Sequence, residues 1–283
     1  MSHDKQWTAY GLKWNPFSPD VPIEGIWISP RIDSFCGRVK NQVREGGFAL
    51  VSGDPGLGKS VTMRVLESRL ELLREVIVAS LSRPGSKIGD FYRELGDLFN
   101  VPLAMHNRWG GFKALRERWL AHIESTLVRP VLLVDEAQEM KPEVLSELRL
   151  LSSTHFDSRS ILTIVLAGDA RLPEMFRSKA LLPVGSRIRA RLTHEYATRE
   201  ELLACMAHRL EQAGNPTLMT KELMATICEH AAGNYRAMFG IAGELLEIAA
   251  QRELRRLDEK LYLEVYAPVV RKPPPPAPTR RRS

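Results

Sequence analysis

Cysteine is scarce in this chain. Cys36, Cys205 and Cys228 are spread over 283 positions, an odd, widely spaced set that suits neither a disulfide framework nor a zinc cluster. A reducing cytoplasm is therefore the expected compartment. Long apolar runs are missing too. None approaches the ~18 residues of a membrane-spanning helix, and the opening Met1-Ser2-His3-Asp4-Lys5-Gln6 has no signal-peptide pattern. No membrane partner is expected. Apolar residues at 44% and charged residues at 26% exclude a wholly disordered or collagen-like chain, and the length allows one large domain or two modest ones.

A basic body is also lacking. The net charge is +6, but Arg271, Lys272, Arg280, Arg281 and Arg282 stand in the last thirteen residues with no acid among them. Removing that +5 leaves +1 for everything before. Any nucleic-acid surface must then be local, made by folding or assembly, or supplied by the tail.

What is present is an alternation of elements. An aromatic-, Pro- and Gly-rich lead-in, residues 1–30, is expected to pack on the main body. Ile32, Phe35, Val39 and Val43 mark a helix ended by Gly46-Gly47. Four short apolar runs read as buried strands, at Phe48-Ala49-Leu50-Val51, Val76-Ile77-Val78-Ala79, Val131-Leu132-Leu133-Val134 and Ile161 to Leu166, with helical stripes between them. Strands this continuously apolar need cover on both faces, so the fold class is α/β, a parallel sheet flanked by helices, over 31–195. Polar-to-apolar alternation is not expected in it. Residues 196–265 carry only helical spacing, with Thr220 a cap, and read as a small helical lid. The stretch 266–283 reads as a Pro/Arg-rich flexible tail.

Gly53-Asp54-Pro55-Gly56-Leu57-Gly58-Lys59-Ser60 fits G-x-x-x-x-G-K-[ST] with a strand before it and a helix, opening at Val61, after it. Its glycines let backbone N–H groups face phosphates, and the helix N-terminus favours an anion. Lys59 reaches the β- and γ-phosphates of ATP, and the Ser60 hydroxyl suits Mg²⁺. Asp135-Glu136 closes the third strand, where side chains enter the crevice of a parallel sheet. Asp135 is the expected metal residue, and Glu136 orients or deprotonates the attacking water. Hydrolysis, not binding alone, is the expected chemistry. Asp169, ending the fourth strand, reads either as a sensor of the γ-phosphate or as a turn residue. Arg187, Arg189 and Arg191 alternate with Ile188 and Ala190. They read as a solvated basic edge or as a source of one arginine that reaches a neighbouring subunit's ATP. Arg236 reads as a phosphate contact from the lid or as a surface arginine.

Together these pieces resemble the AAA+ ATPases, most closely the branch of ExeA-type secretion ATPases and TniB-, TnsC- and MuB-like transposition ATPases. The likeness spans most of 7–255 and is carried by Tyr10-Gly11-Leu12, Asn15-Pro16-Phe17, the phosphate loop, Asp135-Glu136-Ala137-Gln138, Arg187-Ile188, Arg209-Leu210 and Gly233-Asn234-Tyr235-Arg236. It implies a lead-in near the adenine, Asp135 and Glu136 at the metal and water, Arg187 or Arg191 acting in trans, and Arg236 reading nucleotide state. Asp169 departs from the uncharged polar residue common in relatives. ExeA-type proteins carry a membrane segment and a wall-binding region after the ATPase, whereas this sequence runs into a Pro/Arg tail. The resemblance therefore implies a transposition regulator that self-associates into an ATP-dependent ring or helical filament on double-stranded DNA and recruits or stimulates a transposase. A secretion-type assembly ATPase and a helicase-loader-like ATPase are the alternatives. Arg83 and Lys87, in a turn-rich segment after the second strand, are candidate sequence-indifferent DNA contacts or ordinary loop charges. The stretch from His106 to Trp109 is a second exposed candidate.

Overall fold

The computed structural model describes residues 7–103, 108–156 and 158–266. His106, Asn107 and the tail beyond Tyr266 lie outside the described residues. Helix α1 (Pro30–Gln42) leads into β1 (Gly47–Ser52), α2 (Lys59–Glu71), β2 (Val76–Leu81), α3 (Ile88–Leu98), α4 (Arg108–Thr126) and β3 (Arg129–Val134). Then come α5 (Pro142–Ser152), a small hairpin of β4 (Ser153–Thr154) and β5 (Arg159–Ser160), β6 (Thr163–Gly168), α6 (Arg171–Met175), α7 (Leu182–Gly185) and β7 (Ile188–Thr193). Helices α8 (Arg199–Ala213), α9 (Lys221–His230), α10 (Tyr235–Gln251) and α11 (Glu259–Tyr266) follow.

Five strands form one parallel sheet in the order β2-β3-β6-β1-β7. Successive residues of β1 feed opposite cores. Phe48 and Leu50 join Leu132, Ile164, Phe91 and Trp119 on one face, while Ala49 and Val51 join Val131, Val165, Phe35 and Leu66 on the other. Both faces are thus covered, which explains the unbroken apolar runs. Each fully buried Leu or Phe stabilises this arrangement by ~1.5–3 kcal/mol.

The alternation of Arg189 and Arg191 with Ile188 and Ala190 falls in β7, an edge strand that reads buried–exposed through all six residues because one face meets solvent. One expectation needs correction. The lead-in is not confined to the sheet domain. Tyr10, Leu12 and Phe17 bury into the cluster of α8–α11, and only Val21 and Ile26 join the core around α1 and α2. Its aromatic half therefore belongs energetically with the lid.

The helical region is closed by good caps. Thr198 and Glu201 form a reciprocal capping box at α8, Thr220 accepts from Leu223 N–H, and Asn234 accepts from Ala237 N–H. The last of these fixes where α10 starts, directly against the phosphate loop.

Candidate nucleotide site

The strand order puts the end of β6 between the phosphate loop after β1 and the Asp135-Glu136 turn after β3. All three face one cleft of about 650 Å³, lined by Lys59, Ser60, Glu136, Asp169 and Arg236, with lead-in and lid residues closing its far end. Lys59 is buried, and its Nζ donates to the carbonyl oxygens of Gly53 (2.8 Å) and Asp54 (3.1 Å). Gly56 has φ +86° and lies so close to the lid that a Cβ there would stand 2.4 Å from Asn234 Oδ1. No larger residue fits this turn.

The lid touches the loop through backbone. Arg236 N–H donates to Gly56 O (3.2 Å), Asn234 Nδ2 donates to Pro55 O (3.0 Å), and the Arg236 side chain stands exposed at the cleft. Tyr196 O–H donates to Asp54 Oδ2 (3.2 Å). Leu57 is buried, and Gly58, with φ +103°, caps α2. Val61 lines both this cleft and a smaller lobe bounded by Trp27, His194 and Tyr235.

His194 underpins the loop. Its ring meets Thr62 Oγ1 at 2.9 Å through Nε2. Since Thr62 gives its own proton to Gly58 O (3.1 Å), Nε2 carries the imidazole hydrogen. Burial, then the nearby Lys59 and Arg31 cations, push the ring down to about 4, so it is neutral at pH 7.

At the acidic turn, Asp135 Oδ1 accepts from Glu136 N–H (2.9 Å), and Glu136 sits at φ +50°, a left-handed conformation uncommon for a side-chain-bearing residue. Buried Gln138 donates through Nε2 to Glu136 Oε2 and accepts through Oε1 from Asp169 N–H (3.2 Å). A Cβ at Gly168 would fall 2.5 Å from that Oε1, so glycine there makes room for the bridge. Asp169 is clasped by Arg171, which also reaches Glu139 (2.8 Å). The Arg171 hydrogen bond holds the Asp169 carboxyl below the usual carboxylate range. Asp169 is thus an ion-pair partner, and Arg171 brings a cation to the cleft wall.

Arg187 and Arg191 are not brought to this cleft. Arg191 Nη2 donates to Gly185 O (3.0 Å), and the Arg187 side chain donates to Pro183 O. Arg189 pairs with Glu45. Arg83 and Lys87 are exposed on the loop after β2, and a Cβ on its Gly85 would lie 3.6 Å from Glu139 O. Among the described residues no group of three or more His, Cys, Asp or Glu could hold a metal unaided. Among the described residues no helix is long and apolar enough to cross a membrane. Arg171 and His194 were missed from sequence, while Gln138 and Arg209 entered there only as carriers of the resemblance, with no role of their own.

The fold and the cleft define an AAA+ P-loop NTPase, an ATP-hydrolysing architecture. Residues 42–176 match the family described as AAA domain. General secretion pathway protein A of Aeromonas hydrophila is 30% identical over 209 residues, which cover 72% of this chain and 37% of that protein. The chain thus spans little more than a third of its relative. Among solved structures, the Aeropyrum pernix ORC2 protein in ADPNP–ADP complexes superposes with a TM-score of 0.69 at 18% identity, covering 88% of this chain and 70% of that one. Drosophila ORC bound to DNA gives 0.69 at 19%, covering 94% and 66%. At such identities the likeness establishes the fold.

Proposed function

We propose that the chain is a nucleotide-switched assembly ATPase of the secretion type, with 31–195 as its ATPase unit and 196–265 as its lid. The observation that carries this reading is the direct seating of the α10 start on the phosphate loop, Arg236 N–H on Gly56 O and Asn234 on Pro55 O. A change in what the loop holds must therefore move the lid. The 30% identity to the secretion protein supports the class of machine.

Lys59, released from its two loop carbonyls, meets the β- and γ-phosphates, with backbone N–H groups of 53–60 and the α2 N-terminus around them. The donor set fits Mg²⁺: the exposed Ser60 hydroxyl and the Asp135 carboxylate are both hard oxygens and would hold it. Bound there, it would supply positive charge to the phosphates. Glu136, aimed by Gln138, takes the proton of the attacking water. Arg236 senses the phosphates from the lid. Arg187 or Arg191 of a neighbouring copy supplies the remaining cation in a ring or helical filament, leaving its Pro183 or Gly185 carbonyl to do so.

A second reading is a DNA-assembled regulator of transposition that recruits a transposase, or a helicase loader. Its support is the Arg83–Lys87 loop, exposed and free of ion pairs among the described residues, at the crevice end of β2. Two structural neighbours were also solved with DNA.

Both readings are tested with Glu136→Gln. It should keep ATP, accumulate as a large assembly seen by electron microscopy, and lose hydrolysis by about 10²–10⁴-fold. Normal turnover would remove Glu136 from its role. Salt-sensitive retention of duplex DNA only with ATP, abolished in Arg83→Ala/Lys87→Ala, would favour the second reading over the first.

A further inference from the structure

Away from the nucleotide cleft, α4 and α5 leave a groove of about 560 Å³ open to solvent. Trp109, Phe112 and Arg116 stand at i, i+3 and i+7 of α4 and stack in series along one wall. The Trp109 and Phe112 rings lie 5.5 Å apart and 7° from parallel, and the Arg116 guanidinium is 5.2 Å from the Phe112 ring centre. Leu150 of α5 lines the groove with them. Trp109 is 73% exposed and Leu150 42%. The cations of the groove are already engaged. Arg108 closes on Glu147, and Arg116 Nη1 donates to Leu150 O and Leu151 O (3.0 Å each) and to Ser153 O. What the groove leaves open is ring face and methyl groups, which suit an uncharged apolar side chain better than an anion.

The same chain carries such a side chain beside the groove. Ser153, which lines it, opens the β4–β5 hairpin. Phe156, in the hairpin turn, is three residues on, at most ~10 Å of chain away. It is fully exposed, more so than any other large apolar side chain among the described residues. His155 and Phe156 are both left-handed, with φ +50° and +56°, a costly conformation for residues that carry a Cβ. The turn is nevertheless tied, His155 O accepting from Ser158 N–H (3.1 Å) and from Ser158 Oγ (2.6 Å). Arg116 anchors the first residue of the hairpin to α4, so one side chain braces both knob and groove. Strained backbone that holds an aromatic ring in water points to a partner for that ring.

We propose that a second copy of this chain fills the groove, Phe156 of each copy seating between Trp109 and Leu150 of the other. A knob and a hole side by side do not build a head-to-tail ring, which needs them on faces turned apart. They close on each other about a two-fold axis that lies between them. Phe156, Trp109 and Leu150 of both copies take on the order of 900 Å² out of water, at ~150–250 Å² for each fully buried aromatic. That is the scale of a weak, reversible contact, with a dissociation constant on the order of 10–100 μM. The contact uses neither the nucleotide cleft nor β7, so it goes beyond the ATP reading and does not rest on it.

The test is sedimentation velocity of the full chain without nucleotide, from about 2 to 200 μM, which brackets that constant. Wild type should pass from monomer to dimer and stop there. Phe156→Ser and Trp109→Ser should each weaken the dimer about thirtyfold or more, because a two-fold pair loses the altered contact twice. Both side chains are exposed, so the melting points should not move. An equimolar mixture of the two variants regains one intact knob and hole and should associate more tightly than either alone. Lys59→Ala should dimerise like wild type, which keeps this contact separate from the fate of the ATP reading. A wild type that stays monomeric, or that grows past the dimer without nucleotide, overturns the proposal. So does a mixture no tighter than its components. Loss of the dimer with Trp109→Ser but not with Phe156→Ser would give the groove to another segment, such as the tail beyond Tyr266, and overturns it too.

Discussion

Of the three buried charged side chains among the described residues, Lys59, Glu147 and Arg209, the last two have opposite surroundings. Glu147, on α5 and 3% exposed, receives the Tyr92 O–H, and Arg108 closes on both its oxygens. Burial alone would raise this carboxyl, but the Arg108 and Tyr92 hydrogen bonds outweigh it and hold it below the ordinary range. Arg209 has two long carbonyl bonds and an idle Nε–H. One charge is satisfied inside the chain and belongs to the scaffold. The other is left short in the wall of the cleft. The contrast separates a buried charge that completes a core from one whose hydrogen bonds stay incomplete, and each prediction below sharpens or breaks it.

Acid gives the largest expected effect and should strike the cleft side. His194 is neutral when folded, with its ring held near 4, against 6.5 when exposed. Between those values the unfolded chain takes a proton that the folded one refuses. His194 therefore contributes stability above pH 6.5 that is lost as pH falls towards 4, about 3 kcal/mol in all. Urea unfolding of wild type and His194→Gln from pH 7 to 4 should show a steeper fall for wild type by that amount. Parallel curves would mean that the ring is not buried neutral beneath the loop.

The scaffold side should respond to a neutral amide. Glu147→Gln removes the charge that Arg108 and Tyr92 address and should cost about 2 kcal/mol of stability. ADP affinity should not change, because no cleft residue touches this cluster. A loss of ADP affinity in that variant would erase the distinction between the two regions.

The same division explains what could be read from sequence. That the phosphate loop and the Asp135-Glu136 turn meet at one cleft was legible because their spacing sets them at strand ends, and the sheet was legible because both its faces need covering. Arg171 and His194 were not, and Arg209 entered only within the resemblance, without a role. An isolated arginine or histidine carries no local pattern, and what matters here is the partner it meets, Glu139 in one case and Thr62, 132 residues away, in another. Asp169 was ambiguous for the same reason, since its Arg171 partner is visible only once the turn after β6 is folded. The lead-in was misplaced because aromatics signal burial without saying against which unit.

The smallest effect expected is at Gln138, and it shows on which side of the contrast a buried polar residue falls. Gln138 is as buried as a scaffold residue, 8% exposed, yet both ends of its amide serve the cleft, one on Glu136 and one on the Asp169 N–H. If it acts by aiming Glu136, Gln138→Ala should lower kcat roughly tenfold and leave KM for ATP and the melting point nearly unchanged. In a Glu136→Gln background the same change should add nothing, because there is no longer a carboxylate to aim. If instead the two losses multiply, or the melting point drops by several degrees while kcat holds, Gln138 belongs with Glu147 as a piece of the core, and the bridge from the acidic turn to β6 carries packing but no catalysis.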